Sequence, residues 1–273
     1  MADFPAWPAW LFCPADRPER FAKAASAADV VILDLEDGVK PADRPRARDA
    51  LIQASAQLDP ERTVIRVNAV GSDDHALDMT ILADLPFGLV MLSKAESAAQ
   101  LSTVSRWRVV ALCETPRGVQ AANDIAAAEN CVGLMWGAED LMAGLGGTSS
   151  RDARGNYRDV VRHARSETLL AAAAAGVAAL DGVYLDIHDL GGLEAEAVDA
   201  VASGFVAKVC IHPSQLAVIR HAFYPTDEQI AWAHHVIDGM DRQEHGAFSL
   251  DGQMIDEPLI RQALRIAALA DRS

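Results

Sequence analysis

Apolar residues in this chain come in short runs with little internal alternation. Strands are predicted near Trp10–Cys13, Val30–Glu36, Thr63–Asn68, Gly88–Lys94, Arg108–Thr115, Val132–Asp140, Ala179–Ile187 and Phe205–Pro213. Many are rich in Val, Ile and Leu, as strands covered on both faces should be. Between them lie stretches with helical composition, among them Gly118–Glu129 and the alanine-rich Arg158–Gly176. Strand and helix in alternation predict βαβ units and a parallel sheet. Eight such units fit a closed barrel better than an open doubly wound sheet, so the predicted fold class is α/β, a (β/α)8 TIM barrel. A dinucleotide-binding sheet would carry GxGxxG after its first strand, where this chain has Cys13-Pro-Ala-Asp-Arg-Pro18.

Sixty residues follow Pro213, more than the barrel needs. Asp227–Asp241 and Glu257–Asp271 are predicted helices. The expected division is a barrel domain over 1–224 and a helical segment over 225–273 that serves as lid or intersubunit arm. Gly144-Leu-Gly-Gly147 lacks the Lys-Ser/Thr of a phosphate loop and is expected to be a turn or helix end.

Composition narrows the class. No apolar run reaches about 18 residues, so no membrane span is expected, and the first ten residues lack the pattern of a signal peptide. A cytoplasmic protein is expected. Cys13, Cys113, Cys131 and Cys210 are scattered, with no CxxC pair, and are expected to be buried reduced thiols. No Cys or His cluster suggests zinc, and the adjacent His234-His235 reads as surface. The net charge of −15 argues against nucleic acid as a partner, although it leaves room for a small anion at a locally basic face. Seven of the 24 basic residues lie between Arg17 and Arg48; they form either a solvated face or a phosphate-binding one.

Placed on this strand map, the polar residues collect at one end. Asp34, Glu36 and Asp37 close the second strand, Arg66 and Asn68 the third, and Lys94 the fourth. Glu114, Asp140, Asp186 and His212 close the fifth to eighth. Barrel enzymes draw their catalytic groups from these C-terminal ends. A ring rich in carboxylates and poor in Cys and His suits a hard cation, and Glu114 and Asp140, on adjacent strands, could share one magnesium ion. Arg66 offers a planar fork for a substrate carboxylate, or a buried ion pair to Glu36 or Asp37, or both.

Seven segments, in order, resemble the citrate lyase β-subunit-like family, which includes malyl-CoA, citramalyl-CoA and other β-hydroxyacyl-CoA lyases. They begin with Leu11-Phe-Cys-Pro-Ala-Asp-Arg-Pro-Glu-Arg-Phe-Ala-Lys-Ala24 and Val31-Ile-Leu-Asp-Leu-Glu-Asp-Gly-Val39. Val64-Ile-Arg-Val-Asn68, Leu112-Cys-Glu-Thr115, Trp136-Gly-Ala-Glu-Asp-Leu141, Ile211-His-Pro-Ser-Gln215 and Gly252-Gln-Met-Ile-Asp256 continue the series. The resemblance covers essentially the whole chain. It implies a magnesium-dependent carbon–carbon lyase acting on a small acyl-CoA thioester, assembled as a homotrimer or dimer of trimers. It further implies Glu114 and Asp140 as metal ligands, Arg66 on the substrate carboxylate and oxyanion, and Glu36 and Asp37 ordering water and Arg66. Arg17, Arg20, Lys23 and Arg44 would meet the CoA phosphates, with His212 and Pro213 near the thioester arm. Asp256 would act as acid/base in a neighbouring subunit's site. Three positions depart from the family pattern: Leu92-Ser-Lys94 where Leu-Pro-Lys is usual, Arg44 for a Lys, and Ala207-Lys208 for Gly-Lys. The alternatives are a citrate lyase β subunit working on a citryl carrier protein in a multisubunit complex, and a thioesterase or malate-synthase-like activity.

Overall fold

In a computed structural model, which describes residues 4, 7–241 and 247–270, eight parallel strands close into a barrel in sequential order. They are β1 (Ala9–Pro14), β2 (Val30–Asp34), β3 (Thr63–Val67), β4 (Leu89–Leu92), β5 (Arg108–Cys113), β6 (Cys131–Trp136), β7 (Ala178–Asp181) and β8 (Ala207–Cys210), and β8 pairs with β1. All eight expected strands are present. Several end earlier than the apolar pattern suggests; β7 stops at Asp181 rather than Ile187, and β6 at Trp136 rather than Asp140. The residues beyond these ends belong to the loops that carry the polar groups.

Helices α1 (Phe21–Ala27), α2 (Arg44–Ala54), α3 (Asp73–Leu82), α4 (Ala98–Ser102), α5 (Pro116–Gln120), α6 (Ala122–Ala126), α7 (Ala138–Gly144), α8 (Asp159–Ala175) and α9 (Leu190–Ser203) lie on the connections. The helix expected over Gly118–Glu129 is therefore two short ones, α5 and α6, interrupted at Ala121. Gly144–Gly147 is a helix end, with the Gly147 amide donating to the Met142 carbonyl at 2.8 Å.

Side chains alternate between the barrel interior and the helical layer. Trp10, Ile32, Val64, Met91, Val110, Leu112, Met135, Leu180 and Val209 fill the interior as one buried cluster. The outward positions of β7 and β8 include a buried ion-pair network. Asp181 accepts from the Lys208 Nζ at 2.7 Å, from the Arg165 Nε at 2.8 Å and from the Trp136 indole at 2.8 Å, tying both strands to α8. The four cysteines are buried thiols, and His234 and His235 are exposed. No helix among the described residues is long and apolar enough to cross a membrane.

The chain divides in sequence between Ile219 and Arg220 into two compact units. The second holds α11 (Asp227–Asp241), following α10 (Leu216–Phe223), then a hairpin β9 (Phe248–Leu250) and β10 (Gln253–Ile255), and α12 (Glu257–Ala270). Ala233, Val236, Phe248, Ile255 and Ala263 form its own core. The hairpin is an addition to the expected two helices, and Asp271, the expected last helical residue, lies outside the described residues.

Candidate active site

The β2 end is shaped by Asp34. Its Oδ1 accepts the Glu36 amide at 2.9 Å and its Oδ2 accepts the Gly38 amide at 2.8 Å, curling the chain back over the strand end. A Cβ on Gly38 would fall 2.2 Å from Asp34 Oδ2, so only glycine closes this turn. Register places Arg66 of β3 opposite Asp34, and the two form a bidentate pair, Nε–Oδ1 2.7 Å and Nη2–Oδ2 2.6 Å. The remaining fork nitrogen, Nη1, lies 3.1 Å from Glu36 Oε2. The expected ion pair of Arg66 with Glu36 is therefore present, but the main partner is Asp34, and Asp37 bonds Lys94 instead. Phe12 of β1 supports the guanidinium from beneath, 4.7 Å from its ring centroid. Against the cost of burial, Asp34 and Glu36 hold the Arg66 guanidinium firmly protonated.

Glu114 follows β5 and is buried; Asp140 lies in the first turn of α7, after β6, and is about one-third exposed. Gly137 makes room between them, because a Cβ there would stand 2.9 Å from Glu114 Cβ. Burial, and then the charge of Asp140, push the Glu114 carboxyl up to about 8. Glu36 is likewise raised by burial, only partly offset by Arg66 and Lys94. Asp37, despite its own burial cost, is held below the usual range by its bond to Lys94.

Most of these groups, though not Glu36 or Lys94, line a cavity of about 330 Å³ at the C-terminal end of the barrel. Asp34, Asp37, Arg66, Glu114, Glu139 and Asp140 form its polar side, and Phe12, Leu112, Met135, Val183, Leu185 and Ile211 its apolar side. Among the described residues no three acidic, His or Cys side chains converge on one point. The donor set that remains is a pair of carboxylates with room for water or substrate oxygens, and the conflict at Glu114 marks a deficit of positive charge. Both features fit a hard divalent cation of the magnesium type.

Other expected residues fall differently. Asp186 accepts the His188 amide at 2.9 Å and serves its own loop rather than the cavity. His212 is exposed, with Nδ1 2.7 Å from Ser214 Oγ, and caps the turn that begins at Pro213. Arg17, Arg20 and Lys23 are exposed after β1. Arg44 instead pairs with Asp74 at 2.6 Å, beside Arg48, which bonds Asp74 and Asp78. Asn68 is buried and structural, donating to Asp78 and to the Leu35 carbonyl. Asp256 lies in the second unit, at the start of α12. Asp34 becomes the Arg66 partner through the β2–β3 register, which the residue pattern alone does not give. Glu139 adds a carboxylate to the cavity wall that the residue pattern did not single out.

A parallel eight-stranded barrel with an acidic, arginine-bearing cleft at the C-terminal strand ends has the architecture of a barrel enzyme. The chain belongs to the HpcH/HpaI aldolase/citrate lyase family, whose model matches residues 9–213. A citrate lyase subunit beta-like protein of Mycobacterium tuberculosis is 58% identical over 258 residues, covering 94% of this chain and 93% of that one. The human mitochondrial citramalyl-CoA lyase is 30% identical over 292 residues, covering 95% of this chain and 84% of that protein. Among solved structures, protein CitE of Mycobacterium tuberculosis in complex with magnesium, acetoacetate and coenzyme A superposes with a TM-score of 0.92 at 57% identity. That superposition covers 97% of this chain and 98% of the other.

Proposed function

We propose that this protein is a magnesium-dependent carbon–carbon lyase that cleaves, or in reverse condenses, a short β-hydroxyacyl-CoA. Candidate substrates are malyl-, citramalyl- and 3-hydroxy-3-methylglutaryl-CoA, giving an acyl-CoA and a keto acid. The observation that carries this reading is the pair of buried Glu114 and half-buried Asp140 facing the same cavity as the Asp34-braced Arg66. Relatives whose names specify citramalyl-CoA cleavage, and a solved neighbour holding magnesium with coenzyme A, support it.

Glu114 and Asp140 would hold the metal, which when bound supplies Lewis-acid polarisation of the substrate oxygens. Arg66 pairs with the substrate carboxylate and stabilises negative charge as it develops; its orientation is fixed beforehand by Asp34, Glu36 and Phe12. The apolar wall excludes water and receives the alkyl part of the acyl group. Asp256, contributed by a neighbouring protomer, takes the β-hydroxyl proton. The carbon–carbon bond then breaks; its electron pair passes to the thioester α-carbon as an enolate, the β-carbon becomes the carbonyl of the keto acid, and the enolate is reprotonated. Arg17, Arg20 and Lys23 face the CoA phosphates, and His212 and Pro213 the thioester arm. Arg44, committed to Asp74, contributes charge at longer range. The working form is a cytoplasmic homotrimer or dimer of trimers.

The test is mass-spectrometric analysis of purified protein with magnesium and a panel of hydroxyacyl-CoA thioesters. Acetyl-CoA or propionyl-CoA with the matching keto acid, lost on adding EDTA, is the expected result. CoA with intact hydroxy acid would show thioester hydrolysis instead, and turnover only on a carrier protein would move the chain to a citrate lyase assembly.

A further inference from the structure

Lys94 contacts both carboxylates assigned above to the metal. Its amide donates to Glu114 Oε1 at 3.0 Å, and its Nζ lies 3.4 Å from Asp140 Oδ1. The same ammonium bonds Glu36 Oε1 and Asp37 Oδ2, the latter at 3.0 Å. One side chain therefore bridges acids that come from the ends of β2 and β6.

The backbone at this point is built to hold it there. Ser93 is fixed to β3, its Oγ 2.8 Å from the Val67 carbonyl, and the Ala95 amide donates to Leu112 of β5 at 3.1 Å. Between these two anchors Lys94 adopts φ +49°, the left-handed region that a lysine ordinarily avoids. Such a conformation persists only where the surroundings enforce it, and here it aims both the amide and the side chain into the cleft. Six carboxylates, Asp34, Glu36, Asp37, Glu114, Glu139 and Asp140, stand against two basic side chains, Arg66 and Lys94. Arg66 is locked in its bidentate pair with Asp34. Lys94 is one-third exposed on a flexible stem and keeps two other acceptors if it lets Asp140 go.

We propose that Lys94 is a built-in counter-ion that competes with the metal for Asp140. It keeps the acidic cleft intact before the metal enters, then withdraws to Glu36 and Asp37 when the metal binds. Lys94 thereby sets the metal affinity below what the two carboxylates would give unopposed. It is a positioning residue that acts through Asp140. This inference rests on the assignment of Glu114 and Asp140 as metal ligands.

The experiment is calorimetric titration of magnesium into full-length wild type, Lys94→Met and Lys94→Arg, with melting temperatures in EDTA and in saturating magnesium. Removing the ammonium should make Lys94→Met bind magnesium roughly tenfold more tightly, the scale of one charge pair at this separation screened as in bulk water. Its melting temperature should fall in EDTA and recover in magnesium, whereas Lys94→Arg, which keeps the charge, should bind no more tightly than wild type. A purely structural lysine would lower the melting temperature equally in both conditions. That result, or equal or weaker magnesium binding by Lys94→Met, overturns the proposal. If Lys94→Met does not fold, tighter binding by Lys94→Arg does the same. Absence of magnesium binding by wild type would bring down the metal assignment as well, so the two readings fail in distinguishable ways.

Discussion

Glu114 is a buried acid beside another acid, and the consequence for stability has a definite sign. Its carboxyl is raised from 4.5 to about 8, first by burial and then by Asp140. Between those values the folded protein binds more protons than the unfolded chain, so stability falls as pH rises through this window. In EDTA the melting temperature should therefore decline from pH 5 to pH 8 more steeply in wild type than in Glu114→Gln. Saturating magnesium should remove most of that difference, since a bound cation replaces the proton. Calorimetric scans across pH would check both, and parallel slopes for the two proteins would contradict the assignment. Arg66 makes the complementary case. Lys in its place cannot reproduce the fork that meets Asp34 with two nitrogens and Glu36 with a third. Arg66→Lys is expected to lower kcat on the order of 10²-fold, as losses of charge-stabilising donors do. Steady-state kinetics on the substrate found in the panel would show whether the loss falls on kcat or on KM.

At the scale of elements, strands β7 and β8 are joined to the helical layer by charge as well as by apolar packing. Lys208 and Asp181 are both buried, and Arg165 from α8 shares the aspartate. Lys208→Met removes one of its two cations and should cost about 3 kcal/mol in denaturant unfolding, the lower end for breaking a buried pair. A loss below about 1 kcal/mol would mean that Arg165 alone satisfies Asp181. How legible such elements are in the sequence follows from how local their causes are. The barrel strands were legible because both faces are buried, which writes a continuous run of Val, Ile and Leu into each. Their ends were less so: Val183 and Leu185 extend the apolar run past β7 because they line the cavity. The hairpin was written locally in Leu250-Asp-Gly-Gln253, where Asp251 and Gly252 take φ of 50° and 83°, as a tight two-residue turn demands. Arg66 and Glu114 could be placed by strand position, whereas Asp140, expected to close its strand, stands in the first turn of the following helix. The bridging role of Lys94 could not be placed so, because it depends on a left-handed backbone and on acids brought close only by barrel closure.

At the scale of the whole molecule, the contribution of the second unit is tested through Asp256. Asp256 immediately precedes α12, in a unit with its own apolar core built from α11, the hairpin and α12. A segment with its own core can act as an arm, and a closed rotationally symmetric assembly would deliver the same residue to every site. If Asp256 serves a neighbour's cleft, two individually inactive variants can repair each other. Glu114→Gln spoils a protomer's own cleft, and Asp256→Asn spoils the one it reaches into. Co-expressed in equal amounts and assorted at random, about one site in four joins an intact cleft to an intact Asp256, so activity should return to about a quarter of wild type. Each variant alone should stay near background, and a mixture of assembled, non-exchanging proteins should too. If Asp256 instead serves its own chain's cleft, every site in the co-expressed assembly carries one defect, and no activity returns. The same outcome would follow from a monomer, which sedimentation of wild type distinguishes. Recovery of a quarter would establish both the trans contribution of Asp256 and the need for an oligomer.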